Sequence, residues 1–178
     1  MLEEHLQEPQ WWVGAVLVLG FFLLMWRYAR KPRVTALDWD YCYDYVAEPA
    51  ASPNPELAES FADMLREIPE AERAGATLVR LAAMNRGGLS IRAADHLRPL
   101  TIAFPPQARL LAARYVEHFG QAPDEAPAIT TYERGVEIQP FDLPVNCALV
   151  FQLIVAGADG PSLVDGGIEG QPAIGKLK

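Results

Sequence analysis

Residues 11–26 read WWVGAVLVLGFFLLMW, a run with no charge and no strongly polar side chain. No other feature constrains the chain as tightly, because such a run has to leave water. Extended to Ala29 it holds 19 residues, and at ~1.5 Å per helical residue it spans roughly 28 Å, close to the hydrocarbon thickness of a bilayer. Trp11, Trp12, Trp26 and Tyr28 stand at its two ends, where amphipathic rings settle at the headgroups. Arg27 lies inside the extended run, and its stem is long enough to carry the guanidinium to the interface. A cleaved secretory leader fits poorly. Glu3, Glu4 and Glu8 replace a basic start, and no small-residue cleavage site follows the run. The expectation is therefore one transmembrane helix over residues 11–29, preceded by a short tail over 1–10.

Direction follows from charge. Arg27, Arg30, Lys31 and Arg33 follow the apolar core of the run, while only His5 and the terminal amine precede it. The positive-inside rule then leaves the N-terminus outside and the C-terminal domain in the cytoplasm. Trp11, Trp12, Trp26, Arg27, Tyr28, Arg30 and Lys31 are the expected membrane-interface residues, with the lipid bilayer as a partner. The run offers no histidine to ligate haem iron or chlorophyll magnesium, and no acid or base to relay protons before Arg27. Gly14 and Gly20 miss the four-residue spacing of the close-packing dimer motif, although they allow a neighbouring helix to approach.

The whole chain of 178 residues carries a formal net charge of -8. An acidic protein repels phosphate backbones, which argues against nucleic acid as a partner. The two cysteines, Cys42 and Cys147, lie far apart with no Cys-x-x-Cys pair. They read as free thiols rather than as a disulfide framework.

Residues 37–46 alternate strictly: Leu37, Trp39, Tyr41, Tyr43 and Tyr45 interleave with Asp38, Asp40, Cys42 and Asp44. Period two predicts a strand with one apolar face. Trp39, Tyr41, Tyr43 and Tyr45 are accordingly either a core row, the favoured reading, or candidate partner contacts. The interleaved aspartates lack the glycine and distal glutamate of a calcium loop and read as a solvated face. Residues 47–55 form a Pro/Ala linker. Asn54 and Pro55 then look like an N-cap and first helical position, with Leu57, Phe61, Met64, Leu65 and Ile68 at helical spacing before Pro69.

From residue 76 the period returns to two. Short runs over 77–84, 99–104, 109–116, 128–133, 135–139, 147–155 and 163–168 are separated by Gly, Pro, Asn and Asp. The run at 147–155 is continuously apolar, as in a strand buried on both sides. This pattern predicts an all-β, antiparallel sandwich and argues against a parallel α/β sheet.

Several motifs deepen that expectation: Asn85-x-Gly87 with Ile91 and Asp95, Arg98-Pro99-Leu100-Thr101-Ile102, Val136-Glu137-Ile138, the 151–157 strand, and Asp165-Gly166-Gly167-Ile168-Glu169-Gly170. Over residues 76–174 the chain resembles a widespread group of bacterial single-pass membrane proteins with an immunoglobulin-like sandwich. The resemblance implies a fold and no activity. That group has a strand where the spacing here predicts a helix at 55–68. The expected organisation is a tail at 1–10, a membrane helix at 11–29, a juxtamembrane strand, linker and helix at 30–75, and a mainly-β, immunoglobulin-like sandwich at 76–178.

Chemistry is not signalled. No Gly-x-Ser-x-Gly elbow occurs, neither cysteine has a histidine near it in sequence, and His96 and His118 are isolated. Gly166, Gly167 and Gly170 precede Gln171-Pro172 instead of the Lys-Ser/Thr of a phosphate loop, so they read as turn glycines. The expectation is a protein that is not an enzyme and needs no cofactor or metal. It would be an accessory subunit of a larger bacterial membrane complex of respiratory or photosynthetic type, held among integral membrane subunits in the inner membrane. The alternative is a membrane-tethered ligand sensor or effector that binds through loops such as 86–99 and 120–127.

Overall fold

Alternating and β-branched stretches become strands, and the structure, a computed structural model, describes them within residues 40–73, 75–121 and 125–177. The strands are β1 (Tyr41–Pro49), β2 (Ala76–Asn85), β3 (His96–Ala103), β4 (Arg109–Phe119), β5 (Ile129–Tyr132), β6 (Gly135–Ile138), β7 (Cys147–Ala156), β8 (Leu163–Ile168) and β9 (Gly175–Lys176). Two helices, α1 (Pro55–Glu67) and α2 (Glu70–Arg73), lie between β1 and β2. One sheet has the order β4-β7-β2-β1-β9 and the other β5-β6-β3-β8. Neighbours are antiparallel except β1 and β9, which run parallel with Cys42 opposite Gly175. The protein is mainly β. In the constant-type immunoglobulin arrangement the final strand closes the sheet opposite the first two. Here β9 joins β1 and β2 in one sheet, and β3 sits between β6 and β8.

The sheets face each other through one core. Val79, Leu81, Leu149, Phe151 and Leu153 of the first sheet meet Leu100, Ile102, Val136, Ile138 and Ile168 of the second. The opposite face of the first sheet is covered in part by α1, where Leu57, Phe61 and Met64 pack on Ala76, Leu78 and Ile154. This explains the unbroken apolar run at 147–155. β7 sends odd residues into the sandwich and even ones outward, and Cys147 through Val155 are all buried.

Helix α1 starts where the sequence signals. The Asn54 side chain accepts from the Leu57 N–H at 2.8 Å, and Pro55 occupies the first turn, where its missing N–H costs nothing. Its middle is pinned by a polar cluster. Buried Gln152 donates to the Ser60 carbonyl at 3.1 Å, and its Oε1 accepts from the Arg114 guanidinium at 3.1 and 3.2 Å. Every polar atom of that glutamine side chain is satisfied, so its burial is tolerated.

The segment expected to lie between membrane and sandwich, residues 30–75, therefore divides differently. β1 pairs with β2 along its full length and α1 forms an outer layer, so both belong to the body that starts near residue 40. The favoured core-row reading of residues 37–46 anticipated β1 as a strand of the domain, but its pairing with β2, beyond 26 intervening residues, is decided only by the sheet. The glycine reading also changes. Gly166 and Gly167 lie inside β8, and only Gly170, with φ +82°, turns the chain. A Cβ on Gly167 would sit 2.3 Å from the Pro172 carbonyl oxygen, so a close backbone approach requires glycine there.

Candidate functional site

Tyr41, Tyr43 and Tyr45 share the face of β1 that turns toward the sandwich core. Tyr41 is 0% exposed, with its ring edge-on to His96 and Phe141 at 5.7 and 6.5 Å. It is interior and offers no contact to a partner. Tyr43 and Tyr45 are half-buried against the same core, and the Lys176 ammonium lies 4.5 Å from the centre of the Tyr45 ring. Trp39 lies outside the described residues, as do Trp11, Trp12, Trp26, Arg27, Tyr28, Arg30 and Lys31. Among the described residues no helix is long and apolar enough to cross a membrane.

Asn85, Asp95, Arg98 and Gln171 gather at one end of the sandwich and act as latches. Buried Asn85 donates to the carbonyls of Leu89 and Leu143 at 2.8 and 3.0 Å, and its own oxygen accepts from the Gly87 N–H at 3.0 Å. Asp95 caps the turn before β3 by accepting from the Arg92 N–H at 2.7 Å. Arg98 donates to Asp165 and to the Pro172 carbonyl at 2.7 and 2.6 Å. Gln171 acts as a surrogate strand: its amide accepts from the Tyr41 N–H and donates to the Tyr41 carbonyl, both at 2.7 Å. These groups are committed to holding the chain.

His96 sits among them. Its Nε2 is 3.1 Å from the Phe141 carbonyl oxygen, and its Nδ1 is buried without a hydrogen-bond partner. Burial lowers its pKa, opposed by the Phe141 carbonyl and by Asp95 and Asp142. Burial also keeps the Tyr41 hydroxyl protonated well beyond the usual phenol range. His96 thus serves as a neutral strut between β3 and the loop before β7. Among the described residues no group of three His, Cys, Asp or Glu side chains is placed to hold a metal.

The thiols are free and buried. Cys42 lies opposite Met84, which in turn lies opposite Ala148, so two strand spacings of about 4.8 Å each separate β1 from β7. That exceeds the Cα reach of a disulfide.

An apolar opening lies on the outer face of the five-stranded sheet, beside the N-terminal end of α1. It is a groove of about 350 Å³ lined by Asp44, Val46, Glu56, Arg80, Ala82, Phe119 and Val150, with Tyr45 at its edge. Val46 and Phe119 are 50% and 55% exposed and stand at diagonally opposite corners of the floor formed by Ala82 and Val150. Arg80 is ion-paired with Glu117. Asp44 and Glu56 are exposed and take part in no ion pair among the described residues. Sequence reasoning assigned this face of β1 to solvent. The signal that could have found it is Val46, an apolar residue in the register of Asp38, Asp40 and Asp44. A second opening, about 500 Å³ and more polar, lies at one end of the sandwich between Tyr45, Thr77, Gln107, Asp159 and Ser162.

A two-sheet β-sandwich with a helix laid on one sheet is the class this fold defines. No known protein family and no curated protein matches the sequence. Among solved structures, the chain is similar to an exo β-N-acetylglucosaminidase from Vibrio harveyi (14% identity, TM-score 0.42, 78% of this chain and 18% of that one). It is also similar to an archaeal chitinase (13% identity, TM-score 0.35, 53% of this chain and 19% of that one). A third is a family IIIA CBD from Clostridium cellulolyticum (14% identity, TM-score 0.33, 78% of this chain and 99% of that one). The chain spans about 18% of the length of the glucosaminidase. Likeness at this level carries no argument about activity.

Proposed function

We propose that this chain is a non-catalytic accessory subunit of a larger bacterial membrane complex, anchored by residues 11–29 and docking a cytoplasmic partner surface through its sandwich. The observation that carries the docking half is the groove with Val46 and Phe119 half exposed at its walls. Large apolar side chains gathered around a concavity favour protein contact over solvent. The anchor half rests on the apolar run and on the basic cluster that follows it, with Arg27, Arg30 and Lys31 at the cytoplasmic interface. A respiratory or photosynthetic assembly fits a subunit of this kind, with the helix packed among integral membrane subunits.

Extraction of native membranes in a mild detergent tests the reading. The expected result is a stoichiometric complex with integral membrane subunits, and Phe119→Ser releases the chain from it. A lone, small species carrying the wild-type chain would overturn the proposal. The second reading, a tethered ligand sensor, is favoured by the polar opening at Tyr45, Thr77 and Gln107. Saturable binding there by a small polar molecule, lost in Gln107→Ala, would select it instead.

A further inference from the structure

The shape and charge of the groove narrow its occupant, an argument that rests on the docking reading above. Its lining comes from four adjacent strands, β1, β2, β7 and β4. Three strand spacings of about 4.8 Å give a width near 14 Å, enough for a helix of about 10–12 Å diameter. An extended segment fits worse. β2 and β7 are each paired on both sides, so they offer no free backbone ladder to an added strand. The same face already seats one helix. Helix α1 lies beside the groove, inserting Leu57, Phe61 and Met64 over Ala76, Leu78 and Ile154. The open part is bounded by the exposed Val46 and Phe119 at diagonally opposite corners, with Ala82 and Val150 less exposed between them. Charge sets the partner's sign. Arg80 is matched by Glu117, which leaves the carboxylates of Asp44 and Glu56 on the rim.

We infer that the groove binds an amphipathic helix of a partner protein, laid diagonally so that separate apolar side chains of its one face meet Val46 and Phe119, with a lysine or arginine facing Asp44 and Glu56. The carboxylates set partner sign and encounter rate, while the apolar pair supplies most of the affinity.

The test uses the full chain in nanodiscs of phosphatidylcholine. The probes are short helix-forming peptides with leucines on one face and either lysines or glutamates on the other, and empty nanodiscs give the lipid background. The expected result is saturable anisotropy with the lysine peptide only, weakening between about 50 and 300 mM salt. Val46→Asp and Phe119→Ser each reduce affinity about tenfold or more. Asp44→Asn combined with Glu56→Gln reduces it about threefold and removes most of the salt dependence. All four positions are exposed, so unchanged thermal midpoints certify that the variants fold.

Equal binding of the glutamate peptide, or lysine-peptide binding unchanged by the double neutralisation, overturns the basic-helix inference. Self-association of the chain that Val46→Asp abolishes also overturns it, making a second copy the occupant. The docking reading is judged separately, on the detergent-extracted complex. Release of the chain by Phe119→Ser without lysine-peptide binding keeps docking and removes the basic helix. A complex left intact by Phe119→Ser and Val46→Asp removes both.

Discussion

Phe61→Ala asks whether α1 is a structural layer or an ornament. Phe61 is 0% exposed and lies at the centre of the cluster between α1 and the outer face of the first sheet. Truncating a fully buried phenylalanine costs about 3–5 kcal/mol, from lost transfer energy and the cavity left behind. Domains of this size hold about 5–15 kcal/mol in total. The substitution therefore removes about a fifth of the margin or more, if α1 unfolds together with the sheets. Leu153→Ala supplies the comparison, because Leu153 is equally buried on the sandwich side of β7 and its truncation costs about 2–5 kcal/mol. Hydrogen exchange by mass spectrometry on the full chain in mild detergent reads both. In the cooperative case, Phe61→Ala accelerates exchange in α1, β2 and β7 together, by a factor similar to Leu153→Ala. Acceleration confined to 55–67 would mean that the helix opens locally while the sandwich stays closed. A loss below about 1 kcal/mol would refute the layer argument altogether, since no fully buried ring in a well-packed cluster is that dispensable.

Other substitutions test the latches. Gln171→Ala removes both hydrogen bonds to the Tyr41 backbone and should destabilise the fold by about 1–3 kcal/mol in urea titration, more than an exposed glutamine normally would. Gly167→Ala drives a Cβ into the Pro172 carbonyl and should lower the thermal midpoint by an amount corresponding to about 1–3 kcal/mol, whereas Gly88→Ala, in open space, should cost less than about 1 kcal/mol. The depressed pKa of His96 means that the unfolded chain binds its proton first as pH falls through the ordinary histidine value of about 6.5. Stability should therefore be level above that pH and decline below it, by at most about 1.4 kcal/mol per pH unit. His96→Gln should flatten this decline, and an unchanged pH profile would exclude the histidine as its source. Cys42 and Cys147 should resist iodoacetamide until the protein unfolds, because both are buried and burial with neighbouring Asp40 raises the Cys42 pKa. Rapid labelling of the native protein would contradict their placement.

Much of the fold was legible because it rests on local rules. Asn54-Pro55 with Leu57, Phe61 and Met64 announced α1 by capping and by a spacing of 3.6, and the helix spans Pro55–Glu67. The continuous apolar run at 147–155 announced a strand buried on both faces. The aromatic row was less decidable. Tyr41, Tyr43 and Tyr45 share a face by period two, but period does not state which side meets the core, and only the pairing with β2 and the Gln171 clasp turn Tyr41 inward. Of the groove the sequence signalled only Val46, out of keeping with the aspartates in its register. Val46, Arg80, Phe119 and Val150 come from four strands scattered over 105 residues, and no sequence window holds more than one of them.

By itself, then, the sequence determined what depends on neighbours along the chain: strand and helix periods, the α1 cap, the absence of a catalytic signature, and an apolar run long enough to span a bilayer. The tertiary structure decided what depends on neighbours across it. It paired β1 into the first sheet, laid α1 on that sheet's outer face, and kept two thiols apart by two strand spacings. It also assembled a half-exposed apolar groove on a face whose local pattern read as solvent. Periodicity reports which residues share a side of one element, whereas sheet order and the partial cover of one helix decide which of those sides stays open.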